Sequence, residues 1–340
     1  MDPKVPNADP TVAQRVQDLW FPDGNIILQA GNTQFRVYQG ILAARSPIFQ
    51  DMLSLRVVQP QDAELVEGCP LVHLPDSANE VTAFLKAIFD SEFFPSFPGH
   101  TTFDVVVGCL RLSHKYDVGY LRRRALVHLS SGFRMTLAEV DAPCSGSWER
   151  LPGSATFSIR AIHVAREVGA LWLLPHAFFE LSNCFAASSR VGRHIFEGLV
   201  HEGVLITLSE EDQNCFFDGH DIQSKVLPLT FLAFLSSATT FGSCTDPLGL
   251  CDKIRFTIIH RAARGIIQRP ACVTGLFGPP SQWDAPLHED ACSACSASIK
   301  GKYQDTRETF WEKLPIIYGL PPWAELETIK SDAIGPNLHC

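Results

Sequence analysis

The chain has 340 residues, of which 46% are apolar, and its formal net charge is −9 at pH 7. This length and apolar content suffice for two or three globular domains with sizeable cores. The negative charge argues against a nucleic-acid partner or an anionic membrane partner, because either would require a positive excess on the protein surface.

The N-terminal residues have no apolar signal-peptide core, and no stretch approaches the roughly 18 apolar residues that span a bilayer. We therefore expect neither export nor a membrane partner. The 11 cysteines are then interpreted as reduced thiols, since a disulfide framework belongs to oxidising compartments. A cytoplasmic or nuclear location is the expectation that follows.

The first predicted element is a β-hairpin. Residues 25–30 form a short apolar run, and residues 34–38 alternate between apolar and polar side chains. Between the two strands, Gly31 and Asn32 make a two-residue turn of the type that accepts positive φ angles.

Two short helices are predicted directly after the hairpin. Ile41 and Leu42 form the apolar side of the first helix. Ser46 supplies an N-cap oxygen and Pro47 suits the first helical position, so the second helix is predicted to begin at Pro47. Three further apolar residues share one face of this second helix, namely Phe49, Met52 and Leu53.

The order continues with a strand and three more helices. Residues 70–74 are predicted to be a strand, and Ser77 with Glu80 forms a capping-box pattern before the next helix. The core face of that helix is predicted to consist of Val81, Phe84, Leu85, Ile88 and Phe89. Residues 103–114 and 121–129 continue with helical spacing.

This order resembles a BTB/POZ domain over residues 17–131, including the pattern Phe-x-Val-x-x-x-Ile-Leu-x-x-x-Ser-x-x-Phe that begins at Phe35. The resemblance implies an α/β domain that binds proteins, forming a homodimer or a hetero-oligomer. The candidate partner-binding residues are Ile41, Leu42, Phe49, Met52 and Leu53. The alternative is that these side chains form the core of the domain.

Some BTB proteins recruit a cullin scaffold as substrate adaptors of ubiquitin ligases, and the resemblance extends to that function. The family motif for it is an apolar residue, any residue, and then glutamate. At the corresponding position this chain has Gln59, which lacks the carboxylate and weakens any charge-assisted hydrogen bond. Leu65, Val66 and Glu67 fit the motif only in a shifted register.

The remaining chain is predicted to be mainly α-helical. We expect a flexible N-terminus (1–16), a linker rich in Pro, Gly and Ser (132–154), a helical domain (155–236) and a mixed, helix-containing region (237–340). Gly169 is predicted to end a helix. The part after residue 155 resembles the C-terminal extension of fungal BTB proteins, a likeness that implies no activity.

The best candidate for chemistry is a set of four cysteines: Cys244, Cys251, Cys292 and Cys295. Cys292 and Cys295 have the ordinary chelating interval of two residues, whereas the other pair is separated by six. Cys215 or His288 could replace one ligand. A zinc site and ordinary thiols both remain open, and we predict no metal and no cofactor.

No phosphate loop, dinucleotide fingerprint or metalloprotease motif is found, so we predict no catalytic residues and no enzymatic activity. Asp218 and Gly219 are interpreted as a turn. The predicted function is protein binding through the BTB domain. The alternatives are a transcriptional co-regulator and a zinc-dependent module built on the C-terminal cysteines.

Overall fold

The computed structural model describes residues 13–58, 64–142, 146–148, 155–187, 190–236, 244–246, 249–268 and 291–335. The chain divides into two compact units. The N-terminal unit comprises Met1–Gly132 and Ser145–Glu149, and the C-terminal unit comprises Phe133–Cys144 and Arg150–Cys340. The architecture is mixed α/β, as predicted, with the larger sheet in the N-terminal unit.

The N-terminal unit combines a five-stranded sheet with helices that follow it in the chain. Its elements are β1 (Gln14–Trp20), β2 (Ile26–Ala30), β3 (Thr33–Val37), α1 (Gln39–Arg45), α2 (Pro47–Val58), β4 (Leu65–Val66), β5 (Cys69–Leu74), α3 (Ala78–Phe89), α4 (Phe103–Lys115) and α5 (Gly119–Ser130). The strand order is β1-β3-β2-β5-β4. β2 and β3 are antiparallel, whereas β1 lies parallel to β3 and β5 lies parallel to β2.

The predicted hairpin and the start of α2 are confirmed. Ala30 pairs with Thr33, and Gly31 adopts a φ of 55° in the turn between them. The Ser46 hydroxyl accepts the backbone N–H of Phe49 at 3.0 Å, which is the expected N-cap hydrogen bond. Local residue chemistry therefore determines this part of the fold.

The predicted capping box at the start of α3 is wrong. Ser77 occupies the N-cap position, but its side chain makes no capping hydrogen bond. Glu80 instead accepts a hydrogen bond from Nη1 of Arg111 on α4, at 2.6 Å. A guanidinium on a neighbouring helix thus replaces the backbone N–H as the partner of the carboxylate, and a single-helix pattern does not contain that information.

Two predicted boundaries also differ from the structure. Residues 14–16, predicted to be flexible, belong to β1, where Gln14 pairs with Thr33. The predicted linker (132–154) is shared between the units: it contains α6 (Leu137–Asp141) of the C-terminal unit and Trp148, which is buried in the N-terminal unit. The Pro, Gly and Ser content of this segment gave no sign of the buried tryptophan.

The C-terminal unit is mostly helical. After α6 its elements are α7 (Ala155–Val168), a 3-10 turn (Leu171–Leu173), α8 (Leu174–Ala187), α9 (Arg190–Glu197), β6 (Leu199–His201), β7 (Val204–Ile206), α10 (Glu210–Ser236), α11 (Leu250–Gln268), α12 (Ser293–Ile317) and α13 (Trp323–Ile334). Gly169, with a φ of 74°, ends α7 as predicted. Because α10 packs against both α11 and α12, the two predicted C-terminal regions form one compact unit.

The turn predicted at Asp218 and Gly219 is wrong, since both residues lie inside α10. A Cβ atom built on Gly219 would lie 2.1 Å from Cδ1 of Tyr318, so glycine allows the tyrosine ring to pack directly on the helix. Tyr318 is fully buried, and its hydroxyl donates to Oε1 of Gln223 at 2.7 Å. Glycine at this position therefore serves close packing, because a side chain would collide with the ring.

Among the described residues, the helices include none that combines the length and the apolar character required to cross a membrane.

Candidate functional site

Two of the predicted partner-binding residues belong to the core of the N-terminal unit. Leu42 and Phe49 have no exposed surface. The ring of Phe49 stacks on that of Tyr116, with the ring centroids 4.6 Å apart. The prediction is therefore wrong for these two residues: they hold α1 and α2 against the unit and cannot contact a partner.

The other predicted residues lie at or near the surface of the same two helices. Ile41 is 41% exposed, and Met52 and Leu53 are half-buried. Ile48, which the sequence analysis missed, is 45% exposed. It could have been found from its spacing, because Ile48 precedes Met52 by four residues and therefore lies on the same side of α2.

Tyr120 on α5 adds an aromatic ring to this region. Its side chain is 41% exposed, and the guanidinium carbon of Arg45 lies 5.4 Å from the ring centroid. Arg45 in turn follows Ile41 by four residues and shares its side of α1. Partial burial raises the pKa of Tyr120, which keeps the hydroxyl protonated at neutral pH.

We call the group of partly exposed residues Ile41, Ile48, Met52 and Tyr120 the α1–α2 face. It combines aliphatic side chains with one tyrosine, and the guanidinium of Arg45 lies beside the tyrosine ring. Tyrosine and arginine are enriched among residues that dominate binding energy at protein interfaces. The face therefore contains residue types that are common at protein interfaces.

The structure gives no support to the shifted cullin motif. Leu65 and Val66 form β4, paired with β5 of the sheet. Glu67 follows in a turn, where its carboxylate lies 2.5 Å from Arg15 and 3.7 Å from Arg36. Gln59 lies outside the described residues. The glutamate of the shifted motif thus already pairs within its own unit.

The four candidate cysteines come together in the C-terminal unit. Their sulfur atoms all lie within 4.8 Å of one another. Cys244 is exposed and Cys292 is half-buried, whereas Cys251 and Cys295 are only 2% and 1% exposed. We call this group the thiol cluster. The suggested substitute Cys215 lies on α10 and is not part of the cluster, and His288 lies outside the described residues.

Two helices begin at the thiol cluster. Cys251 is the second residue of α11, Cys292 immediately precedes α12, and Cys295 is the third residue of α12. The backbone N–H of Cys292 donates to the sulfur of Cys251 at 3.3 Å, and the N–H of Cys251 donates to Oδ2 of Asp246 at 3.0 Å. The first of these hydrogen bonds joins the starts of the two helices, and the second ties the start of α11 to the segment that precedes it.

The thiols of the cluster differ in acidity. The pKa of Cys292 is lowered to about 6, chiefly because the backbone N–H of Thr245 lies against its sulfur and favours the thiolate. Burial raises the pKa values of Cys251 and Cys295. Without a cation, the two buried sulfurs are therefore protonated at neutral pH.

A serine–histidine contact in the C-terminal unit was also missed by the sequence analysis. Oγ of Ser182 lies 2.7 Å from Nδ1 of His220, and burial lowers the pKa of this histidine. Because Ser182 has no exposed surface, a substrate cannot reach its hydroxyl. The contact is a hydrogen bond of the core.

Comparison of the chain with protein-family models, with curated proteins and with solved structures finds no match in any of the three. The function proposed below therefore depends on the geometry of the chain itself and on the family likeness of its sequence pattern.

Proposed function

We propose that the N-terminal unit is a BTB/POZ-type domain and that the protein is a non-enzymatic interaction protein that self-associates through the α1–α2 face. The observation that carries this proposal is the exposure of Ile41 and Ile48, at 41% and 45%, on two consecutive helices whose buried apolar residues include Leu42 and Phe49.

The order of elements supports the domain assignment. A hairpin leads directly into α1 and α2, the two strands β4 and β5 follow, and α3, α4 and α5 pack successively against one another. This is the order that the sequence resemblance implies. The two parallel pairings of the sheet require crossovers, which long-range packing must hold in place.

The proposed interface has a clear driving force. Removing apolar surface from water contributes about 25 cal/mol for each Å² that is buried. A two-fold symmetric dimer would use the α1–α2 face of both chains, so both copies of each exposed isoleucine would be buried in one complex. Arg45 and Tyr120 add contacts that are specific in direction.

The test is the molar mass of the purified full-length protein by size-exclusion chromatography with light scattering. We expect twice the 37.6 kDa of one chain. The double variant Ile41→Glu/Ile48→Glu should be folded, as judged by circular dichroism, and monomeric, because it places four like charges in the dimer interface. A wild-type protein that stays monomeric at all accessible concentrations would contradict the proposal.

Ile222→Glu is the matched control. Ile222 is 39% exposed on α10 in the C-terminal unit, so the same change is made at nearly the same exposure but away from the α1–α2 face. This variant should keep the mass of the wild-type assembly. If it dissociates as well, the loss of mass in the double variant would reflect added charge in general, and the assignment of the face would be refuted.

Cullin recruitment is not part of the proposal, because Glu67 pairs with Arg15. A pull-down with the N-terminal region of a cullin tests that choice directly. Capture by the wild-type protein would show that a surface other than the shifted motif recruits the scaffold.

A further inference from the structure

The thiol cluster has the size of a single tetrahedral metal site. Zinc–sulfur bonds of about 2.3 Å place tetrahedral ligand sulfurs about 3.8 Å apart. The four sulfurs of the cluster already lie within 4.8 Å of one another, so a metal ion would draw them together by no more than about 1 Å. We propose that Cys244, Cys251, Cys292 and Cys295 bind one structural zinc ion.

Ordinary packing does not explain the convergence of these side chains. Small apolar thiols gather when each gains from burial, but Cys244 is exposed and Cys292 is half-buried. Both nevertheless lie beside the deeply buried Cys251 and Cys295. A metal ion bound by all four cysteines explains why two surface residues and two buried residues meet at one point.

A pair of disulfides is a poorer explanation. Each disulfide requires only one partner sulfur, at about 2.05 Å, and sets no condition on the other two cysteines. In the structure every sulfur of the cluster is within reach of all the others. Four-fold mutual proximity is the requirement of a common metal centre, in which each ligand must reach the same ion.

The local backbone suits bound thiolates. α11 and α12 both begin at the cluster, so the positive ends of two helix dipoles face the sulfurs. The N–H of Cys292 donates to the sulfur of Cys251, which is the kind of surrounding hydrogen bond that stabilises a charged ligand. The separation of this pair is 41 residues, so the contact joins distant parts of the chain.

The ligand set suits a structural zinc ion. Four soft sulfur ligands in a tetrahedral arrangement favour zinc or iron over hard cations such as magnesium and calcium. A site with four protein ligands leaves no open position for water or substrate, which is the mark of a structural zinc site. Zn²⁺ with four thiolate ligands forms a complex with a charge of −2, and each ligand that is a thiol before binding releases one proton to solvent.

The ion would fasten the ends of two helices to each other. Both α11 and α12 pack against α10, and the cluster lies where the two begin. In the reducing compartment expected for this protein, zinc would perform the cross-linking that a disulfide performs in secreted proteins. Its loss should loosen the C-terminal unit.

The experiment is the metal content of the full-length protein, prepared under reducing conditions without chelators and without a metal-affinity column. We expect about one zinc per chain by mass spectrometry of the elements. Cys292→Ser/Cys295→Ser should lose it. Cys215→Ser is the matched control and should keep it, because Cys215 lies on α10 outside the cluster.

A second measurement does not depend on the folding of the Cys292→Ser/Cys295→Ser variant. Wild-type protein is treated with a strong chelator and then supplied with zinc or cobalt. We expect the unfolding temperature to fall on removal and to return with zinc, and cobalt should give the visible absorption bands of a tetrahedral thiolate complex. Folded wild-type protein without zinc, an unfolding temperature that the chelator leaves unchanged, one iron in place of zinc, or loss of zinc in Cys215→Ser would overturn the proposal.

Discussion

The contacts that stabilise the N-terminal unit internally differ from those that stabilise the C-terminal unit. In the N-terminal unit, fully buried residues such as Ile26, Leu28 and Phe35 come from neighbouring strands of one hairpin. In the C-terminal unit, the indole N–H of Trp311 donates to the backbone oxygen of Met135, 176 residues away. The first core thus takes buried residues from strands that are adjacent in sequence, whereas this contact in the second unit joins segments that are far apart in the chain.

Among substitutions that should affect one unit and not the other, the largest change in the free energy of unfolding is expected for Gly219→Ala. In the middle of a helix this change normally stabilises by up to about 1 kcal/mol. Here the new methyl group would lie 2.1 Å from the buried ring of Tyr318, and such overpacking costs about 3 kcal/mol. Urea unfolding should show the loss, and hydrogen exchange should rise in α10 and α12 while the N-terminal unit is unchanged.

Gly301→Ala is the control for this prediction. Gly301 lies within α12, and nothing would approach its added methyl group within 4 Å. This variant should be as stable as the wild type or more stable, by up to about 1 kcal/mol. Equal effects of the two substitutions would show that Tyr318 does not pack on α10 as described.

A smaller effect, confined to the N-terminal unit, is expected for Ser46→Ala. The Ser46 hydroxyl accepts the N–H of Phe49 and donates to the backbone oxygen of Tyr116, and both groups are buried. Loss of this cap should cost about 2 kcal/mol in the free energy of unfolding and increase exchange in α2.

Ser54→Ala provides the comparison within α2. Ser54 is exposed, and its hydroxyl donates to the oxygen of Gln50 on the same helix. Its removal should change the free energy of unfolding by less than about 0.5 kcal/mol. A cost at Ser54 as large as that at Ser46 would contradict the assignment of the cap.

The smallest predicted effect is a pH dependence of the N-terminal unit that arises from His128. The neutral ring of His128 donates from Nε2 to the oxygen of Pro95, at 2.8 Å, and accepts at Nδ1 from the hydroxyl of Ser147, at 2.6 Å. Burial is the main reason that its pKa lies below the ordinary value of 6.5, and the nearby charge of Arg124 lowers it further.

A lowered histidine pKa means that the unfolded chain binds the proton first as the pH falls. The native state should therefore lose stability below pH 6.5 and be most stable above it. Hydrogen exchange of α5 at pH 7 and pH 5, corrected for the intrinsic rate, measures this. His128→Gln should reduce the loss of stability between pH 7 and pH 5. If this variant loses as much stability as the wild type, the pH dependence arises from other groups.

The sequence predicted local features well where one residue type sets the backbone. Gly31 in the hairpin turn, Pro47 at the start of α2 and Gly169 at the end of α7 were all identified in advance. Errors arose where a partner distant in sequence decides the outcome. Glu80 accepts a hydrogen bond from Arg111 in place of capping its own helix, and the ring of Tyr318 leaves no room for a side chain at Gly219.

The candidate sites show the same limit. Spacing identified Cys244, Cys251, Cys292 and Cys295 as a group, but only the fold could show that two separate helix starts bring their sulfurs together. At the α1–α2 face, helical periodicity cannot distinguish an apolar side that faces the core from one that faces outward. Leu42 and Ile41 are adjacent in sequence and yet take opposite roles.

The most direct test of the central claim is hydrogen exchange of the wild-type protein at two concentrations, one well above and one well below the midpoint of self-association. We predict that the additional protection at high concentration is confined to α1, α2 and the start of α5. Protection at the hairpin of β6 and β7 instead, where Val200 and Leu205 are also exposed, would contradict the assignment of the interface to the α1–α2 face.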